Sequence, residues 1–327
     1  MVRIPDQRFA HGLYWELHPN VAYSNDPVTL TAGELASLTE LNNASFLYAD
    51  SLEGLEYCVN VERIAPAWID KGNPQSGITD LSPIIALTKL RELSLGRAPR
   101  LTDLSPLANL HQLKTLALYQ LPLVTNLSPV GKLTSLTSLS IDRLTAVRSL
   151  APLANLSHLE SLSLGSMDRV TSLHELNGSL APTTIEIVGL PALDSLQGLP
   201  IGALEVVDLR DLPQLHSLDG LQGATKLTTV SISGKDTSLD LSALASCPKL
   251  RRLDVDGLRI PAVPQFDHWV IMIQLTGVTI DDLSGLLNNP GIGQSTHLYL
   301  RQCTYDKDAM APIREELLNR GVVLLLN

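Results

Sequence analysis

The side chains of this 327-residue chain that could bind a metal, attack a carbonyl or move a proton are eight histidines, three cysteines and 34 carboxylates. Such chemistry needs its groups within a few ångströms of each other. That usually shows as a short fixed spacing such as H-E-x-x-H, G-x-S-x-G or G-x-x-x-x-G-K-[ST]. None of these occurs, and Gly291-Ile-Gly293-Gln lacks the third glycine of a dinucleotide fingerprint. His111 and His158 occupy equivalent places 47 residues apart. In a strand-built chain that separation is about two strand spacings, too far for one ion. Cys58, Cys247 and Cys303 are too few and scattered for a disulfide framework or a zinc site. Cys58 and Cys247 fall in every-third apolar slots (Leu52, Leu55, Cys58, Val61; Leu241, Leu244, Cys247, Leu250) and read as small core hydrophobes. The expectation is a chain with no enzymatic activity, no cofactor and no metal.

Carboxylates are placed more regularly, and the elements that position them come from the leucines. There are 65 leucines, about a fifth of the chain, while aromatics make up 4% and charged residues 18%. Leucine excess with so few aromatics argues against two conventional globular cores and for one built by repetition. Net charge is −10 and no Lys/Arg run exceeds Arg251-Arg252. A polyanion would meet a like-signed surface, so neither nucleic acid nor an anionic membrane is an expected partner. No apolar stretch reaches membrane-spanning length, and the start, Met1-Val-Arg-Ile-Pro-Asp, has no apolar h-region. The chain therefore reads as cytoplasmic as it stands, or as secreted or surface-exposed if Met1 replaces a removed signal.

The repeat is 23 residues long. Leu81-Ser-Pro, Leu104-Ser-Pro, Leu127-Ser-Pro and Leu150-Ala-Pro open successive units, and Leu173, Leu196, Leu218 and Leu241 continue them. Inside a unit the pattern is L-x-x-L-x-L: Leu90, Leu93, Leu95, then Leu113, Leu116, Leu118, then Leu136, Leu139, Ile141, then Leu159, Leu162, Leu164. In L-x-L both apolar side chains leave a strand on the same side. Apolar residues at every third position afterwards suit a 3₁₀-like return that keeps one face inward. Ser before Pro suits the start of that return, with Ser as the cap and Pro where no N–H partner is needed. One unit cannot bury its leucines alone, so units must stack, with parallel strands side by side.

These residues resemble the leucine-rich repeat family, and its bacterial internalin-like branch in particular. Leu101-Thr-Asp-Leu-Ser-Pro-Leu-Ala-Asn-Leu and Leu150-Ala-Pro-Leu-Ala-Asn-Leu look like that branch's turn segments. The resemblance extends to a helical N-terminal cap at Ile4-Pro-Asp6-Gln-Arg8-Phe9 with Leu13 and Leu17. It also extends to an entry segment at Thr29–Leu41 and a closing cap from Asn289-Pro-Gly-Ile-Gly onward. It implies an α/β repeat solenoid, a horseshoe or arc with parallel strands on the concave face and turns or 3₁₀ segments on the convex face. The expected layout is one continuous domain, with a helical cap at 1–37, repeats over 38–280 and a closing repeat and cap over 281–327. The chain departs from the family at the position that usually holds Asn or Cys. Here that position is Ala98, Leu121, Leu144, Met167, Leu190, Leu212, Lys235 and Leu258, and only Cys303 matches.

The ends and the irregularities also read from the residues. Asp6 is the expected N-cap of a helix carrying Phe9, Leu13 and Leu17, and Thr31 with Glu34 is a capping box. Ile313 and Leu317 share a helix face, Gly321 suits the position after it, and Val322–Leu326 makes a last strand. Residues 66–80 (Pro66, Trp68, Gly72, Pro74, Gly77) lengthen one unit, and residues 258–272 (Pro261, Pro264, Trp269) shorten another.

The outward strand positions form rows. The middle row runs Asn42, Pro66 or Ala65, Ser94, Ala117, Ser140, Ser163, Glu186, Asp208, Ser231, Asp254, Gln274, Tyr299. Beside it lie Tyr119, Asp142, Arg210, Asp256 and Arg301 on one side and Arg252, Met272 and His297 on the other. Glu186 next to Asp208 is a like-charge pair, which is destabilising unless compensated. The residues open to a solvated face, to an acidic patch for a basic partner, or to a weak cation site. The resemblance implies a non-catalytic protein-binding module that uses this concave face. The candidate contacts are Tyr119, Asp142, Glu186, Asp208, Arg210, Arg252, Asp254, Asp256, Tyr299 and Arg301, with the two tyrosines as aromatic anchors. The expected partner is a protein, with a basic one suiting the patch, and the chain itself is expected to be a monomer. A secreted or surface adhesin, and a regulatory or substrate-recognition subunit of an enzyme, are the alternatives.

Overall fold

The computed structural model describes residues 1–21, 26–42, 49–65, 76–178, 180–235, 237–287 and 289–326. Among the described residues thirteen strands follow one another in a parallel sheet, and a second sheet holds two more. In chain order the strands are β1 (Glu40–Leu41), β2 (Arg63–Ile64), β3 (Glu92–Gly96), β4 (Thr115–Tyr119), β5 (Ser138–Asp142), β6 (Ser161–Gly165), β7 (Thr184–Val188) and β8 (Val206–Arg210). Then come β9 (Thr229–Ser233), β10 (Arg252–Asp256), β11 (Arg259–Ala262), β12 (Met272–Thr276), β13 (Thr279–Asp282), β14 (His297–Arg301) and β15 (Val323–Leu326). The L-x-L residues sit where the pattern puts them: Leu116, Leu139 and Leu162 are all buried. Each pairs in register with its repeat equivalent where the pairing is described, as Leu116 does with Leu93 and with Leu139.

The every-third leucines have a backbone reason. The N–H groups of Leu107, Leu110 and Leu113 donate to the carbonyls of Leu104, Leu107 and Leu110 at 3.0 Å each. Successive three-residue closures turn one side chain in three toward the same interior line, with 3₁₀ segments such as Ser105–Asn109 between them. The start of these segments differs from expectation. Ser82 and Ser105 are not caps but are themselves capped. Asp80 accepts from the Ser82 N–H at 2.8 Å and its hydroxyl at 2.6 Å, and Asp103 does the same for Ser105. Asp240 and Asp282 repeat the arrangement on Ser242 and Ser284. Asx-type closure two residues on competes well in a segment whose leucine cap has no side-chain oxygen.

The missing Asn position is resolved by the main chain. Arg97, Gln120, Arg143, Asp211, Gly189, Gly257 and Gly277 follow their strands with φ between 53° and 69°. In that left-handed kink each N–H reaches the next strand's end, as Arg97 N–H does to the Tyr119 carbonyl at 3.0 Å and Gln120 N–H to the Asp142 carbonyl at 2.9 Å. The side chains one residue further on are then free to be apolar, and Ala98, Leu121, Leu144, Met167 and Leu190 are all buried. Lys235 is exposed, and the Cys303 thiol donates to the Leu275 carbonyl at 3.3 Å.

Two compact units divide the chain: Met1–Leu159 with Gly165–Met167, and Glu160–Leu164 with Asp168–Asn327. The first holds helix α1 (Gln7–Leu17), where Asp6 accepts from the N–H groups of Arg8 and Phe9, and helix α2 (Ala32–Ser37), where the Thr31/Glu34 capping box closes. Phe9 and Leu13 are buried and Leu17 is partly so. Arg63 on β2 bridges Glu40 and Glu92 at 3.7 and 3.0 Å. Register pairs Ile64 with Leu93, and the N–H of Ala65, the residue after β2, donates to the Leu41 carbonyl at 3.2 Å. Pro66, Trp68, Gly72 and Pro74 of the expected irregularity lie outside the described residues. Its end is tied down, with the buried Ser76 donating its hydroxyl to the Ala49 carbonyl at 2.9 Å.

In the second unit the 258–272 irregularity has a structure of its own. Arg259–Ala262 and Thr279–Asp282 pair as β11 and β13 in a second parallel sheet, and the shortened unit brings Leu253 opposite Ile273 after 20 residues. Helix α3 (Lys307–Asn319) buries Met310, Ile313 and Leu317, and Gly321 follows with φ 78°. The last strand is Val323–Leu326, paired with β14. Val322 is buried ahead of it.

Candidate functional site

Strand alternation sends Glu186, Asp208, Ser231, Asp254, Gln274, Tyr299 and Leu325 to the outer face of the second unit, each in register with the next. Neighbouring strands are about 4.8 Å apart, so residues 20 to 26 positions apart in sequence become neighbours. Asp208, Arg210, Ser231, Ser233, Asp254, Asp256, Gln274, Thr276 and Arg301 line an open cleft of about 440 Å³.

The like-charge pair expected at Glu186 and Asp208 is compensated. Arg210 pairs with Asp208 through two hydrogen bonds, one of them Nε to Oδ1 at 2.9 Å, and its Nη2 lies 3.6 Å from Glu186. Ser163 donates to the second Glu186 oxygen at 2.8 Å. The Asp208 hydrogen bond holds the Arg210 guanidinium above its ordinary pKa. On β10, Arg252 Nε reaches only the Asp254 Oδ2, at 2.6 Å. Asp254 Oδ1 is buried with no donor among the described residues. An acceptor left in that state costs about 1–3 kcal/mol. Asp256 is exposed, and no described side chain pairs with it. Arg301 lies over the Tyr299 ring, 5.6 Å from its centroid. Four carboxylates thus face three guanidinium groups, and the unmatched negative charge sits on β10.

Two of the expected contacts are not part of this cluster. Tyr119 and Asp142 belong to the first unit. Tyr119 is only 5% exposed, so it is no surface anchor. Its ring lies against Gly96, where an added Cβ would stand 2.5 Å from ring carbons. The neighbouring glycine supplies the space that buries it. Asp142 is half-buried, lies 3.6 Å from Arg143 and occupies the space left by Gly165. Sequence rows also stopped one strand early. Val323 opposite His297 and Leu325 opposite Tyr299 continue the outer face, and they are 48% and 36% exposed. Their alternation with Leu324 and Leu326 was the available signal.

The thiols behave as core. Burial pushes the Cys58 thiol up to about 12, with Glu56 adding to the shift, and burial also raises Cys247 and Cys303. Among the described residues no three His, Cys, Asp or Glu side chains gather as metal ligands. No described helix is long and apolar enough to cross a membrane.

No family model matches the sequence, and comparison with curated proteins finds no match. Solved structures do match. An internalin, InlF, from Listeria monocytogenes aligns over 95% of this chain and 93% of its own, with 22% identity and a TM-score of 0.60. A second protein from that organism, internalin C2, aligns over 92% and 94% with 22% identity and a TM-score of 0.42. The parallel sheet, the repeat and the first alignment agree. This chain has the internalin-type leucine-rich repeat fold. The cleft therefore lies on the strand face of a leucine-rich repeat, and its charged side chains stand on strands rather than loops. Strands hold them in fixed register through paired backbones and buried L-x-L neighbours.

Proposed function

We propose that this leucine-rich repeat chain is a non-catalytic binding module that takes a protein partner on the outer strand face of its second unit. One observation supports this most: six paired strands, β7 to β10 with β12 and β14, bring Glu186, Asp208, Arg210, Arg252, Asp254, Asp256, Tyr299 and Arg301 onto one surface with an open cleft. A broad, open, charged surface suits a macromolecule better than a small substrate, which needs enclosure on most sides. The residual carboxylates favour a basic partner and would speed its association at low salt.

Once a partner is in hand, the test compares Asp208→Lys and Asp254→Lys with His158→Glu, a change on an exposed turn of the first unit. Both strand-face changes should weaken binding at least tenfold, about 1.4 kcal/mol, with the control unchanged. Loss of binding in the control alone would place the interface elsewhere.

A further inference from the structure

We propose that the partner presents an extended segment with a basic side chain and, about four residues away, an apolar one. This rests on the strand-face reading above and specifies what that face recognises.

The face has two chemically distinct ends. On β10, Asp256 is exposed and Asp254 keeps a buried oxygen with no donor among the described residues. Arg252 already serves the other Asp254 oxygen, and Arg210 is committed to Asp208 and Glu186. A cation with several N–H donors, from lysine or arginine, complements that end.

Three strands on, the surface turns apolar. Val323 and Leu325 are 48% and 36% exposed, and they stand in register with His297 and Tyr299. The Tyr299 ring is flanked by His297 at 6.0 Å between ring centroids, with Arg301 over it. An aliphatic or aromatic side chain would cover this end and gain by leaving water.

The distance between the ends sets the spacing. From β10 across β12 and β14 to β15 is three strand steps, about 14 Å at 4.8 Å each. An extended chain advances about 3.3 Å per residue, so about four residues separate the two anchors. Gln274 and Thr276 lie between, on β12. They offer hydrogen bonds to the crossing backbone.

The experiment selects random dodecapeptides displayed on phage against the full chain, then measures the enriched peptides in solution by fluorescence anisotropy. The expected result is enrichment of a basic and an apolar residue about four apart. Asp256→Asn and Leu325→Ser should each weaken these peptides at least tenfold, and His158→Glu should not. Both substituted side chains are exposed, so folding should survive, and thermal melts of each variant check it. Enriched peptides that lack the pattern but are lost on Asp208→Lys would overturn this inference and leave the strand-face reading standing. Peptides indifferent to every strand-face change would count against both. Self-association of the chain through Val323 and Leu325, seen by light scattering and abolished by Leu325→Ser, would also overturn it by assigning that end to a second copy.

Discussion

The side-chain oxygen of Asn289 accepts a hydrogen bond from the Phe266 N–H at 3.1 Å, and both residues are fully buried. The same oxygen accepts from the Gly291 N–H at 3.2 Å. The amide nitrogen donates to the carbonyls of Gly285 and Pro264 at 2.7 and 2.9 Å. One amide thus satisfies four backbone groups where the shortened repeat departs from the 3₁₀ pattern. Asn289→Ala should leave all four buried and unpaired. At about 1–3 kcal/mol each when wholly unmade, with partial relaxation, a loss of about 3–5 kcal/mol is expected. Urea unfolding monitored by circular dichroism measures it, and a loss below 1 kcal/mol would mean water or neighbouring groups replace the amide.

Leu139 is buried and pairs in register with Leu116, at the centre of the L-x-L pattern. Leu139→Ala should cost about 2–5 kcal/mol, as deletions of buried leucine do. The neighbouring outward Ser140→Ala should cost little. Comparable losses from the two changes would show that the strand's inward and outward faces are misassigned.

Acid should loosen the turns before it reaches the core. Asp80, Asp103 and Asp282 have lowered pKa values, because the hydroxyls of Ser82, Ser105 and Ser284 and then their N–H groups hydrogen-bond the ionised form. A carboxylate depressed on folding contributes stability that is present above its unfolded pKa. That contribution is lost as pH falls through the folded value. Unfolding midpoints should therefore drop below the ordinary carboxylate range, near pH ~4. Asp103→Ser should reduce that dependence while keeping the turn, since Ser172 and Ser217 accept from His174 and Asp219 N–H in the same place. An unchanged acid profile in that variant would remove Asp103 from the account.

Cys58 should be unreactive in the folded chain. Burial raises its thiol to about 12, so the thiolate that attacks disulfide reagents is scarce at neutral pH. An aromatic disulfide reagent at pH 8 should label Cys58 and Cys247 only when denaturant is added, and the half-buried Cys303 first. Rapid labelling of Cys58 without denaturant would mean its repeat opens readily.

The sequence by itself determined the repeat and the strands and register of the main sheet, because one interior line of apolar side chains permits only that periodicity; the pairing of β11 with β13 was not legible in it. Asp6, the Thr31/Glu34 box and Gly321 were equally legible, since a helix end is satisfied by residues next to it in the chain. The role of Asp80 and Asp103 was written in the recurring Asp-Leu-Ser but assigned to the wrong residue, the serine. The tertiary structure decided what depends on contacts between strands. Tyr119 is buried because Gly96 lies beside it, and Glu186 tolerates Asp208 because Arg210 spans both. Periodicity fixes which way a side chain leaves its strand. Its exposure and its charge partners depend on the size and reach of neighbours more than twenty residues away.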